Sequence, residues 1–227
     1  MPTSPIKLSP SELTFLWDEC PRCFYLKHIH GINRPSAPFP AVFGAIDRLM
    51  KAQFAGHPAS ELDPSLPTGT VSVNEKWLES LPFSLPGHDT SLFIRGKLDA
   101  LIDFEDGSYG IVDFKTSEPK KEHIPFYSRQ LHAYAYALEH PAPGRLAFSP
   151  ISRLGLYVEA PYATLVSGTS QISFDFRSTW MEVPVDRDYF IGFLDQVLAL
   201  LELPEPPPAG EHCEYCRYRQ HARQHGM

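Results

Sequence analysis

No apolar run in this 227-residue chain approaches the roughly 20 residues that a bilayer-crossing helix needs. The opening Met1-Pro2-Thr3-Ser4-Pro5-Ile6-Lys7 also lacks the apolar stretch of a secretory leader. The expectation is a cytoplasmic protein with no membrane partner. Cysteine is scarce, four residues in all, which leaves a disulfide scaffold without support. Basic residues are outnumbered, 20 against 27 acidic, and the net charge of −7 counts against a protein that coats nucleic acid through its overall field. A local basic path remains compatible with that total, and its candidates are Arg22, Lys27 and Arg34, then Lys120, Lys121 and Arg129, then Arg217, Arg219 and Arg223. The chain has no phosphate-cradling glycine loop, so ATP-driven and dehydrogenase chemistry have no local basis. Serine and cysteine hydrolase motifs are missing as well. The ten histidines are scattered and suggest no site.

What is present is an ordinary globular composition, 43% hydrophobic and 21% charged, in a length that suits one domain over residues 1–227. Ser9, Pro10 and Glu12 form a helix entry for a first helix bearing Leu13, Leu16, Trp17 and Cys20. Helical spacing recurs from Ala41 to Phe54 and from about Pro125 to His140, and an apolar helix spans Tyr189 to Leu203. Residues 56–69 read as a loop. Two-residue alternation predicts one strand from Leu92 to Phe104, a second from Tyr109 to Thr116, and a pair, Arg153 to Glu159 and Gln171 to Phe176, joined through Ser167-Gly168-Thr169-Ser170. The run Pro204-Glu205-Pro206-Pro207-Pro208-Ala209-Gly210 cannot be helical and opens a tether and cysteine segment over residues 204–227, expected to pack on the N-terminal cysteine pair. The order of elements predicts a mixed α/β fold.

The sharpest local feature is a hairpin. A three-residue loop, Glu105-Asp106-Gly107, pairs Phe104 with Ser108, and counting back sets Asp103 against Tyr109, Leu101 against Ile111, and Asp99 against Asp113. Two facing carboxylates repel unless a cation lies between them. Magnesium or manganese, bound by two carboxylates together with water and phosphate oxygens, is a natural occupant. Lys115 shares the face of Asp113, where its ammonium can orient an attacking water or stabilise charge on a phosphate. The Phe114 carbonyl can turn towards the metal while its ring is buried. The same triplet is compatible with an ion-pair cluster on a solvated sheet face, and a four-residue turn would separate the two aspartates.

The surroundings carry further information: Gly96-Lys97-Leu98-Asp99, then Ile111-Val112-Asp113-Phe114-Lys115-Thr116-Ser117, then Gln130-Leu131-His132-Ala133-Tyr134. This ordered set of a G-x-x-D strand, a D-x-K strand and a Q-x-x-x-Y helix resembles the RecB-like branch of the PD-(D/E)XK nuclease superfamily, including its CRISPR-associated members. The resemblance implies a restriction-endonuclease-like mixed sheet flanked by helices, and a metal-dependent deoxyribonuclease acting on DNA, with protein partners in repair or defence possible. It makes Asp99 and Asp113 metal ligands, Lys115 the catalytic lysine, and Gln130 and Tyr134 residues lining the site. Asp47, in Gly44-Ala45-Ile46-Asp47, takes the place of a third ligand on an earlier helix, where the recombination nucleases usually carry histidine.

The four cysteines form two C-x-x-C pairs, Cys20 with Cys23 and Cys213 with Cys216, a spacing suited to one four-thiolate site. Four unrelated buried cysteines are the plainer alternative. The resemblance includes an iron–sulfur subgroup in which such a site clasps the two chain ends, usually with one early and three late cysteines. Here the split is two and two, and the late third position is lost near His221 and Ala222. A [4Fe-4S] cluster is the favoured occupant on that resemblance, with zinc as the alternative.

Overall fold

The computed structural model describes residues 4–35, 40–73, 76–167 and 171–226. In chain order the elements are β1 (Ile6–Leu8), α1 (Phe15–Glu19), α2 (Pro21–His30), α3 (Ala41–Phe54), β2 (Gly69–Val73), β3 (Trp77–Glu79), β4 (Leu92–Lys97), β5 (Ala100–Phe104), β6 (Tyr109–Thr116), α4 (Ile124–Glu139), β7 (Ile151–Ser167), β8 (Gln171–Val183), α5 (Arg187–Leu201) and α6 (Glu214–Gln224). The result is the expected mixed α/β architecture. A five-stranded sheet runs in the order β2-β5-β6-β7-β8, and a three-stranded sheet in the order β1-β4-β3. The pairing of β6 with β7 is parallel, with α4 supplying the crossover between them.

Both faces of the large sheet are covered. On one side Leu101, Ile111, Leu154, Leu156 and Val158 pack against Leu131 and Leu138 of α4 and Phe190, Leu194 and Leu198 of α5. On the other side Ala100, Ile102, Phe104, Val112 and Phe114 pack against Met50 and Phe54 of α3, with Tyr157 closing the cluster. Burial on both faces explains why β6 lacks a solvent-facing row. Its interior residues Gly110 through Phe114 are all buried, Asp113 included. The solvated-face alternative for the aspartate cluster is therefore excluded.

Several expected boundaries shift for identifiable reasons. The first helix does not reach Cys20 as one piece. Turns over Pro10–Thr14 lead into a short α1, and the chain at Cys20 is extended because it precedes Pro21, which then opens α2. The single strand expected from Leu92 to Phe104 is two, broken at Leu98 and Asp99, and its halves belong to different sheets. The alternation hides this break because Leu92, Ile94 and Leu98 face one core while Ala100, Ile102 and Phe104 face the other. Strands β1, β2 and β3 and helices α2 and α6 went unread. The hairpin strands β7 and β8 are longer than expected, and residues 168–170 of their connection lie outside the described residues.

The hairpin between β5 and β6 has the expected register, Asp103 opposite Tyr109, Leu101 opposite Ile111 and Ala100 opposite Val112. Gly107 supplies the left-handed residue at φ 82°, and the Phe104 N–H donates to the Ser108 carbonyl at 3.0 Å.

The Pro-rich tether lies on α2 and is held by hydrogen bonds. The Tyr25 hydroxyl donates to the Leu203 carbonyl at 2.9 Å, and the Gly210 N–H donates to Cys20 Sγ at 3.2 Å. A Cβ at Gly210 would stand 2.5 Å from the Glu19 carbonyl oxygen and 3.2 Å from Cys20 Cα, both backbone atoms. Gly210→Ala is thus expected to lower the thermal midpoint and to open both chain ends to limited proteolysis, at a cost of roughly 1–3 kcal/mol. Unchanged protease resistance at both ends would contradict the close approach.

Candidate active site and cysteine clasp

Three elements converge on Asp113. Strand β6 places Asp113 and Lys115 on the side of the sheet that α4 covers, with Asp113 only 2% exposed. Helix α4 contributes Gln130 and Tyr134, four residues apart and so on one face. Gln130 Nε2 donates to Asp113 Oδ1 at 3.0 Å and to the Tyr134 hydroxyl at 3.3 Å. Lys115 Nζ forms an ion pair with Asp113 Oδ2 and lies 4.7 Å from the centre of the Tyr127 ring.

Asp99 sits in the break between β4 and β5, one step beyond the last paired residues, Ala100 and Val112. Its Oδ2 accepts the Phe114 N–H at 3.2 Å, which ties the break to β6. Its Oδ1 is 2.8 Å from Lys51 Nζ. Lys51 stands one helical turn after Asp47 on α3 and also meets Asp47 Oδ2 at 2.8 Å, so a single ammonium links the two aspartates. Sequence reasoning missed Lys51. Its signal was available as an acid and a lysine four residues apart on the helix already singled out for Asp47. Tyr127, beside Lys115, was also missed, and no motif marked it.

The glycine of G-x-x-D has a steric cause. A Cβ on Gly96 would lie 2.7 Å from Pro10 and 3.2 Å from the Tyr134 ring, so the N-terminal turn and the α4 tyrosine close over the strand only where a side chain is missing. The Phe114 ring is buried between Phe54 and Tyr157, with ring centres at 6.0 and 5.8 Å.

The electrostatics are those of a site short of positive charge. Burial, and then the neighbouring Asp113 charge, push the Asp99 carboxyl up to about 6, although Lys51 and the Phe114 N–H act in the opposite direction. Lys115 is held above the ordinary lysine value: burial works against its charge, and the Asp113 carboxylate outweighs burial. Lys51 is raised in the same way by Asp47 and Asp99. Lys115 Nζ covers Asp113 Oδ2, whereas Gln130 Oε1 is buried and accepts no hydrogen bond. An orphaned oxygen acceptor beside two neighbouring buried carboxylates fits a hard divalent cation with oxygen ligands. Among the described residues, the aspartates are not gathered tightly enough to surround one ion, with the Lys51 ammonium linking Asp47 to Asp99.

A second constellation lies at the chain ends. Cys20, Cys23, Cys213 and Cys216 bring their sulfur atoms within 4.8 Å of one another, and the first three are buried. Cys20 and Cys213 occupy the N-caps of α2 and α6, and the Cys216 N–H donates to Cys213 Sγ at 3.4 Å. Arg34 donates to Cys213 Sγ at 3.2 Å and pairs with Glu19. Burial raises the Cys20 thiol, but the Gly210 N–H leads the hydrogen bonds that bring it down to about 7. Cys216 is pushed well up by burial and then by the sulfurs around it. The clasp expected between the two chain ends is present as a cluster capable of binding metal.

A sequence model of the PD-(D/E)XK nuclease superfamily matches residues 67–221, most of the chain and the stretch that carries Asp99, Asp113, Lys115, Gln130 and Tyr134. The chain belongs to this superfamily. Its members are in general metal-dependent nucleases, which sets the site within an enzyme family that acts on nucleic acid. The crystal structure of a protein designated SSO0001 is similar at 16% identity, with 97% of this chain and 87% of that one covered and a TM-score of 0.49. No curated protein matches the chain. No helix among the described residues is long and apolar enough to cross a membrane.

The Asp99 shift has a consequence for stability that superfamily membership does not supply. The folded protein holds this proton more tightly than the unfolded chain, where the value is near 3.8, so ionisation of Asp99 costs stability as pH rises from about 4 to about 6. A shift from 3.8 to about 6 corresponds to roughly 3 kcal/mol, fully present above pH 6. In chelator, Asp99→Asn is therefore expected to be more stable than the parent at pH 7.5 and close to it at pH 4. A variant destabilised at both pH values would show that the carboxylate is not strained.

Proposed function

We propose that this chain is a magnesium- or manganese-dependent deoxyribonuclease of the RecB-like branch, with Asp99, Asp113 and Lys115 at its centre. The observation that carries the reading is the convergence of a D-x-K strand, the Asp99 break and the Gln130 helix on one buried, cation-demanding site. In this reading Asp99, Asp113 and the Phe114 carbonyl hold the ion, and Asp47 joins them once Lys51 moves aside. The bound ion would polarise the phosphodiester and lower the pKa of the attacking water. Lys115 holds that water in line with phosphorus and stabilises the charge that builds on the phosphate oxygens. Gln130 fixes Asp113 through Oδ1 and Tyr134 holds Gln130 in turn, while Oδ2, now paired with Lys115, is the oxygen that a metal would share or take over.

A groove of about 720 Å³ beside the cysteine clasp is lined in part by Arg22, His30, Arg219 and Arg223, a basic surface suited to phosphate contacts that includes none of the candidate catalytic residues. Other basic residues are occupied structurally: Arg129 grips Asp18 through both terminal nitrogens at 2.7 and 2.9 Å, Lys27 pairs with Glu12, and Arg34 serves the clasp. The branch assignment rests on the order of the three motifs, and a reducing, cytoplasmic setting agrees with four free thiols. Repair or defence complexes are the partners that this branch implies.

A second reading, a DNA-binding protein without turnover, is favoured by one observation: Lys51 already links Asp47 to Asp99 where a metal would draw on them. Labelled single- and double-stranded DNA separates the two. Cleavage that needs magnesium or manganese and stops in chelator supports the enzyme, while DNA bound but left intact supports the binder. Because Asp113 is buried against Lys115, near-isosteric changes are the ones that disturb packing least. Asp113→Asn and Lys115→Met are each expected to reduce kcat at least about 100-fold with cooperative unfolding retained. Full activity in either variant would remove that residue from the reaction. Asp47→Asn is expected to raise the magnesium concentration needed for half-maximal rate, and an unchanged metal dependence would exclude Asp47 as a ligand.

A further inference from the structure

We infer that the cysteine clasp holds a single tetrahedral zinc ion and not the [4Fe-4S] cluster that the resemblance implies. The sulfur spacing decides between them. With zinc–sulfur bonds of about 2.3 Å, a regular tetrahedron of thiolates has edges of roughly 3.8 Å. Here Cys20 and Cys216 are 3.8 Å apart, Cys23 and Cys213 3.8 Å, and Cys23 and Cys216 3.5 Å, with all four sulfurs inside 4.8 Å. A [4Fe-4S] cube binds each thiolate through a different iron and would hold the sulfurs on the order of 6 Å apart. The sulfur spacing here matches the smaller tetrahedron.

The backbone builds the small site from both ends. Each C-x-x-C pair straddles the first turn of a helix, with Cys20 capping α2 and Cys213 capping α6, so the helix N-termini direct partial positive charge at the thiolates. The Gly210 N–H and the Cys216 N–H each donate to a sulfur, and the Arg34 guanidinium offsets part of the excess negative charge of four thiolates around a divalent ion. The Gly210 backbone closes directly on the Cys20 side of the site, where an added Cβ would meet the Glu19 carbonyl oxygen at 2.5 Å and Cys20 Cα at 3.2 Å. Four thiolates leave no open position for substrate or water, so the ion is structural. The inference is independent of the nuclease reading, since metal identity can be measured without any substrate.

The test is elemental analysis of full-length protein purified without oxygen from cells supplied with both iron and zinc, together with acid-labile sulfide and visible absorption. About one zinc per chain, no labile sulfide and colourless protein are expected. Growth in cobalt should then yield about one cobalt per chain and the strong visible bands of tetrahedral cobalt thiolate, lost in Cys213→Ser/Cys216→Ser. Brown protein with about four irons and matching sulfide overturns the inference, as does a single iron without sulfide. Either result would leave the DNA assays untouched, and absence of cleavage would leave the zinc count untouched.

Discussion

Asp113 is a carboxylate that the fold has no thermodynamic reason to bury, and the organisation around it follows from that fact. It lies in the middle of a strand covered on both faces, beside a second carboxylate whose own ionisation it opposes. A buried charge survives only if it is paired and hydrogen-bonded. Lys115, Gln130 and, through Asp99, Lys51 meet that requirement from three different elements. Both oxygens of Asp113 find a partner, but the Gln130 carbonyl that shares the pocket is left without a donor. A core built for stability alone would have placed a hydrophobic residue there.

The same constraint fixes neighbours that contribute no chemistry. Tyr134 must lie close enough to bond Gln130, which brings its ring over Gly96 and leaves no room for a side chain there. Asp99 must leave the ladder to reach both the Phe114 N–H and Lys51, and the strand breaks where it does so. Helix α3 is tied to the site through Lys51 while much of its length, including Val42 and Leu49, stays exposed.

Much of this was readable in the residues, and the parts that were not share a cause. The three-residue turn at Glu105-Asp106-Gly107 set the register because glycine at a positive φ favours one pairing, and the two C-x-x-C pairs pointed at each other because each can chelate one edge of a tetrahedron. The break at Leu98 and Asp99 was invisible because alternation reports that a residue is buried but not which core it enters. Strands β1 and β3, three residues each, are too short for any period to register. Lys51 was overlooked because a lysine on an amphipathic helix is normally solvated, and only the fold shows it turned inward to two acids. The thiolate cluster was legible as a group, while its size, on which the identity of its metal turns, required coordinates.

The clasp joins residues 193 positions apart, Cys23 to Cys216, and this separation matters while the chain is being made. At ordinary ribosomal speeds the first pair of cysteines is made roughly 10 to 40 s before the second pair. Through that interval the early thiols lack their partners, and the α1–α2 region lacks the tether that later covers it. Closure of the clasp therefore follows the synthesis of everything between its two halves, so the contact that fixes the early helices is among the later ones to form.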